Sequence, residues 1–180
     1  MPAWLQALDE AILLFLQTHV RCGIFTAALT FLTHLGDAGL LWLAIAAVLL
    51  GQKKTRRSGL ELSASLGLTA LLCNCVLKPL FARPRPFLCV ESLELIIPAL
   101  DSYSFPSGHA SSSLAAATTL TLTLGRRGAW SYLPAGLIAI SRSYVGIHYP
   151  SDVAAGALLG TGVALLVHRL SRCIRKGRRD

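Results

Sequence analysis

Apolar residues in this chain gather into long, nearly unbroken runs. Ser58 to Leu77 carries one charge, Glu61, and similar runs cover Ser107 to Gly125, Ala129 to Ile147 and Val153 to His168. Gly39 to Leu50 is shorter and stops at Lys53, Lys54, Arg56 and Arg57. A helix that crosses a bilayer needs about 20 mostly apolar residues, so these five segments are predicted to be membrane helices. Asp9 to Leu35 is apolar but broken by His19, Arg21 and Gly23. It reads as one long helix, or as an interfacial helix followed by a short span. Met1 to Thr18 lacks a basic start and carries Asp9 and Glu10 before its main apolar run. That pattern suits an amphipathic or partly inserted helix better than a cleavable signal peptide. The expected fold is all-α, a polytopic membrane helix bundle of about six transmembrane helices. It forms one domain over residues 1–180, with an N-terminal region at 1–35 and a core at 58–168.

Composition agrees with that reading. The chain is 53% hydrophobic and 14% charged, against about one-quarter charged for a soluble domain, and its mean hydropathy is +0.57. The net charge of +8 raises nucleic acid as a partner, but there is no basic stripe on a polar surface and no nucleic-acid signature. Instead, twelve of the 17 Lys and Arg fall at Lys53 to Arg57, at Arg126 and Arg127, and from Arg169 to Arg179. If the helices alternate, all three clusters lie on one face, which the positive-inside rule makes cytoplasmic. The C-terminus is then cytoplasmic, and so is the N-terminus if residues 1–35 cross once. Asp37, Glu91, Glu94 and Asp101 lie on the opposite side.

Five cations remain: Arg21, Lys78, Arg83, Arg85 and Arg142. Four of them fall at the outer ends of helices, where such groups mark a functional site by default. The five cysteines, Cys22, Cys73, Cys75, Cys89 and Cys173, form no CxxC pair and read as small packing residues rather than metal or redox groups.

Three stretches meet on that outer side. Lys78-Pro79-Leu80-Phe81-Ala82-Arg83-Pro84-Arg85-Pro86 is expected to end a helix at its prolines and stay extended, so that its cations face one ligand. Ser104 to His109 opens the next helix. Ser107 is its candidate N-cap, Gly108 permits close backbone approach, and a helix N-terminus suits phosphate. His109, in the first turn, is placed to protonate a ligand held there. The third stretch is Ser141-Arg142, five residues, His148, three residues, Asp152. A carboxylate one turn from a histidine fixes its tautomer and frees the other ring nitrogen as a nucleophile. Arg142 adds a planar, permanently charged fork for phosphate oxygens.

Together these stretches resemble the signature of the type 2 phosphatidic acid phosphatase family, whose phosphate pocket is shared with vanadium haloperoxidases. Lys78 to Arg85-Pro86, Pro106 to His109, and Ser141-Arg142 to His148 and Asp152 match its three parts in order and spacing. The resemblance implies that His148 attacks phosphorus to form phosphohistidine, Asp152 orients it, and His109 protonates the leaving oxygen. It also implies that Lys78, Arg85, Arg142, Ser107 and the Gly108 amide hold the phosphoryl oxygens. Phosphoryl transfer needs mainly positioning and charge neutralisation, which three fixed cations supply. Asp152 is the only carboxylate within the three signatures, so no metal site and no cofactor is expected. The implied partners are a lipid phosphate substrate and the surrounding membrane lipids; no feature sets an oligomeric state.

The implied substrates are undecaprenyl pyrophosphate, phosphatidylglycerol phosphate or phosphatidic acid. Competing readings are a vanadate-dependent peroxidase, a lipid phosphotransferase, and a non-enzymatic transporter or scaffold. A transporter places charges near mid-membrane, whereas these lie at helix ends. Selectivity is expected in the Phe87 to Tyr103 loop through Glu91, Glu94 and Asp101, and Arg83 is expected either to touch substrate or to anchor the interface.

Overall fold

The computed structural model describes residues 1–177, and every regular element among them is helical. The N-terminal region is two helices, α1 (Ala3–Phe15) and α2 (Gly23–Leu35), separated by a π-helical turn at Leu16–Val20 and an extended break at Arg21 and Cys22. α1 buries only Asp9 and Leu13. α2 is followed by α3 (Leu40–Gly51), and the chain bends by 50° between them. Ala38 and Gly39 make the bend with left-handed φ values of 51° and 70°.

α4 (Arg56–Ala70) passes through a π-helical segment, Leu71–Leu77, into α5 (Lys78–Phe81). Here the structure departs from expectation, because Pro79 does not end the helix. In the π segment the Lys78 N–H reaches back to the Cys73 carbonyl, five residues away. Pro79 then sits near the start of a new α segment, where its missing N–H is tolerated. The helix stops at Ala82, whose φ is 43°. Only beyond it is the chain extended, up to α6 (Pro86–Cys89).

α7 (Gly108–Leu124) is the central helix, packed against α4, α9 (Tyr132–Tyr144) and α10 (Pro150–Lys176), with the short α8 (Arg126–Ala129) folded against its end. Its buried face is made of Ala110, Ser111, Ser113, Ala115 to Ala117, Thr118 and Thr119. Small side chains let helix backbones come close, which is how helices associate when apolar burial alone does not separate protein from lipid. The contact with α10 is close. A Cβ on Gly160 would lie 2.0 Å from the Ser111 carbonyl oxygen, and one on Gly156 would lie 2.5 Å from that of Ser107. Trp42, Leu62, Leu66, Leu120 and Ile138 form the main apolar cluster between α3, α4, α7 and α9. The Trp42 indole N–H, buried there, donates to Ser113 Oγ at 3.0 Å.

The outer surface is apolar: Ile24, Phe31, Leu60, Leu80, Trp130, Leu158 and Ile174 are all exposed. A surface of that kind is suited to lipid. Among the described residues, two helical stretches are long and apolar enough to cross a membrane, Arg56–Cys89 and Pro150–Lys176, and the bent pair Gly23–Leu35 and Asp37–Gly51 makes a third if it counts as one span.

Candidate active site

The three charge-bearing stretches converge on a cavity of about 420 Å³ walled by Lys78, Arg85, Gly108, His109, Arg142 and His148. Local structure explains each placement. Arg85 ends the short extended segment after Ala82, with Pro86 starting α6. Ser107 caps α7 from an extended backbone, and its Oγ accepts from the Ala110 N–H. The space beside Gly108 is open; a Cβ there would meet nothing nearer than Cys73 Sγ at 3.8 Å. Arg142 lies in the last turn of α9, and its carbonyl accepts from both the Ile147 and His148 N–H groups at 3.3 Å. Those bonds fold the connecting loop back, with Gly146 at φ 86°.

His148 is 2% exposed and Asp152 fully buried. Asp152 occupies the third position of α10, where its Oδ2 accepts from the Tyr149 N–H at 3.0 Å in a capping box. The same oxygen accepts from Ser104 Oγ and faces His148 Nδ1 at 3.5 Å. On the other side of the ring, Arg85 Nη1 approaches His148 Nε2 at 3.4 Å. An arginine donates only, so this contact requires a lone pair on Nε2 and the proton on Nδ1, towards Asp152. Burial pushes the His148 pKa down to about 3, against the pull of Asp152 and with the help of Arg85. The resting ring is neutral.

Arg85 also donates to the carbonyls of Ser102 (2.6 Å) and Ile147 (2.9 Å) and to Ser102 Oγ (2.8 Å). Arg142 donates to Thr33 Oγ1, and its Nε is buried without a partner. Among the described residues, no carboxylate forms an ion pair with Lys78, Arg85 or Arg142. Burying a guanidinium without a counterion costs several kcal/mol, and the arginines here are 2% and 1% exposed. A bound anion offsets that cost and fills the vacant donor. An unpaired cationic cavity of this kind suits a phosphate-like group.

A model of the PAP2 superfamily matches residues 58–175. The chain belongs to that superfamily. It is 38% identical over 130 residues to an undecaprenyl-diphosphatase of Sulfolobus acidocaldarius, a match covering 70% of this chain and 61% of that protein. It is 34% identical over 151 residues to a decaprenylphosphoryl-5-phosphoribose phosphatase of Mycolicibacterium smegmatis, covering 82% and 81%. Its fold superposes on the PAP2-type phosphatidylglycerolphosphate phosphatase of Bacillus subtilis with a TM-score of 0.78. That comparison covers 96% of this chain and 89% of the other at 29% identity.

Among the PAP2 signature positions, Lys78, Arg85, Gly108, His109, Arg142 and His148 reach the cavity wall. Asp152 stands behind His148, as an orienting group does. Ser107 is fully buried as the cap of α7 and is not part of the wall. Arg83 neither lines the cavity nor reaches the surface. It is 6% exposed and bonds Asp152 Oδ1 at 2.6 Å, Ser151 Oγ at 2.8 Å, Asp9 Oδ2 at 2.8 Å and Gln6 Oε1 at 2.7 Å. It ties α1 to Asp152, the carboxylate beside His148. Arg21 also lies away from the cavity, donating to the Tyr144 carbonyl at the end of α9. The five cations outside the basic clusters thus divide into three that face the cavity and two that brace the fold.

Glu91, Glu94 and Asp101 are exposed and off the cavity wall, which the loop meets only through Leu100 and Ser102. Sequence reasoning missed Thr33, Ser102, Ser104 and Asp37. The first three are short polar residues that look like any loop or helix hydroxyl. Asp37 had one signal, a carboxylate between two apolar runs.

Proposed function

We propose that this PAP2 protein is an integral membrane phosphatase that hydrolyses a lipid phosphate through a phosphohistidine on His148. One observation carries the reading: Lys78, Arg85 and Arg142 share a cavity with two histidines while, among the described residues, no carboxylate forms an ion pair with them. The three cations and the Gly108 N–H bind the phosphoryl oxygens. The His148 Nε2 lone pair attacks phosphorus, the bond to the leaving oxygen breaks, and His109 gives that oxygen its proton. Asp152 holds the Nδ1 proton as positive charge builds on the ring. Water, losing a proton to His109, then attacks phosphorus, and phosphate and neutral His148 are released. Capping of α7 by Ser107 keeps the Gly108 amide aimed at the phosphoryl group.

The lipid is read first as a polyprenyl phosphate or diphosphate, because the two relatives named above act on polyprenyl-linked phosphates by their names. Phosphatidylglycerol phosphate and phosphatidic acid are the other members of the panel. Phosphate release from these lipids by the purified protein tests the activity. His148→Ala should abolish release while leaving the fold intact, and substantial turnover by that variant contradicts the mechanism.

The charge distribution supports six spans, counting α7, α9 and the N-terminal helices. Both termini then lie in the cytoplasm, and the cavity opens to the outer face of the cell membrane. Single cysteines at Glu94 and Arg127, in a background lacking the native five, should label oppositely with an impermeant reagent. Labelling of the Arg127 site alone from outside inverts the topology.

A further inference from the structure

The α2–α3 turn lies outside the three signature stretches, yet it touches the group proposed to donate the proton. Asp37 Oδ1 is 3.0 Å from His109 Nε2, and Asp37 Oδ2 is 2.9 Å from His34 Nδ1. The turn is shaped around the ring. A Cβ on Gly36 would stand 2.6 Å from His109 Cδ2 and 2.7 Å from Ile138 Cγ2. The left-handed φ values at Ala38 and Gly39 turn the chain straight after Asp37. Gly36, Ala38 and Gly39 also line the cavity, so the turn is part of the site wall.

We propose that Asp37, braced by His34, is a positioning residue for proton transfer by His109. This rests on the function proposed above. With Nε2–H held by Asp37, Nδ1 is the nitrogen left for the substrate. In the first half-reaction the ring, charged by the proton that a monoanionic phosphate ester brings into the cavity, gives its Nδ1 proton to the leaving oxygen and keeps the Nε2 proton on Asp37. The neutral ring then has its lone pair on Nδ1, as the second half-reaction requires. Water gives that nitrogen a proton as its oxygen attacks phosphohistidine, and the imidazolium is restored. One held tautomer serves both steps. Arg142, on α9, is the cation near this pair, and its guanidinium stays charged throughout.

The test compares two leaving groups within one preparation. An alkoxide needs a proton as it departs, whereas nitrophenolate leaves as a stable anion. For each variant, kcat/KM is measured on p-nitrophenyl phosphate and on the lipid phosphate monoester that the wild type cleaves fastest. Asp37→Asn should lower the lipid-to-aryl ratio by about tenfold or more, within the range expected of general acid catalysis. His34→Gln should lower it less. Loss of folded protein cancels in the ratio, so a merely structural role leaves it unchanged. In a His109→Ala background, Asp37→Asn should change the ratio no further. An unchanged ratio in Asp37→Asn, or a further drop in the double variant, overturns the proposal. If the wild type releases phosphate from neither compound, the proposed function itself falls; if it cleaves both and the ratio does not move, only this inference does.

Discussion

Replacing Arg83 with Met removes the guanidinium that joins α1 to Asp152, the carboxylate beside His148, while keeping a stem of similar length. Arg83 is the shared cation of two buried carboxylates, Asp9 at 2% and Asp152 at 0% exposed. Removing one member of a buried ion pair costs about 3–5 kcal/mol, because the remaining charge is left uncompensated. Asp152 keeps its bonds from Ser104 and the Tyr149 N–H, and Asp9 keeps those from the Ser151 backbone and hydroxyl. The lower half of that range is therefore expected. The guanidinium also stacks on the Tyr149 ring, 3.8 Å from its centroid, a contact worth about 1 kcal/mol or more when desolvated. The net expectation is a loss of about 4–5 kcal/mol, or on the order of 10 °C in Tm for a chain of this size. Asp9→Asn leaves the Arg83–Asp152 pair intact and should cost only about 1–2 kcal/mol. The double variant should be more stable than Arg83→Met alone, since one stranded carboxylate is gone. Thermal unfolding in detergent, followed together with phosphatase activity, measures all three proteins. Arg83→Met within about 1 kcal/mol of wild type, or a double variant less stable than Arg83→Met, refutes the reasoning.

Asp152→Asn should lower activity less than His148→Ala does, because the nucleophile remains while its tautomer is no longer fixed; phosphate release from the best lipid substrate ranks the two. His148, whose pKa is lowered from 6.5 to about 3 by burial, should stay neutral as pH falls from 7 to 5. Cleavage of p-nitrophenyl phosphate should then show no His148 break near 6.5. The unfolded chain takes up that proton where the folded one does not, so this histidine lowers stability as pH falls from 6.5 towards 3, by about 1.4 kcal/mol per unit. Unfolding curves of wild type and His148→Gln compared across that window check the sign. Activity should survive chelator and be blocked by vanadate, whose trigonal-bipyramidal form mimics the phosphoryl transition state; strict dependence on added Mg²⁺ contradicts the role given to the three cations. Gly160→Val should force α7 and α10 apart at Ser111 and cost about 3 kcal/mol or more by overpacking, read as a fall in Tm with loss of activity.

Hydropathy and charge along the chain determined that this is a helical membrane protein, and the spacing of its motifs determined that Lys78, Arg85, Gly108, His109, Arg142 and His148 face one cavity. Those signals are short-range. A run of apolar residues, a Ser107 cap, or His148 and Asp152 one turn apart is complete within a few neighbouring positions. The helix that continues past Pro79 was not legible, because it depends on a π-helical register that begins at Leu71. Nor was the sorting of the cations outside the basic clusters. Arg83 and Arg85 stand two residues apart on an extended segment, yet one meets Asp9, 74 positions away, and the other meets His148. The partner of His109 lies 72 positions before it. Such pairings exist only once helices have chosen neighbours and rotations, and that choice rests on close packing. Gly156 and Gly160 let α10 settle against α7, which brings Asp152 beside the start of the His109 helix through the Ser107 N–H to Asp152 carbonyl bond of 3.0 Å. Gly36 admits the His109 ring beside Asp37. Composition and local spacing carry the chemistry of the site, while the fit of small residues between helices decides which groups complete it.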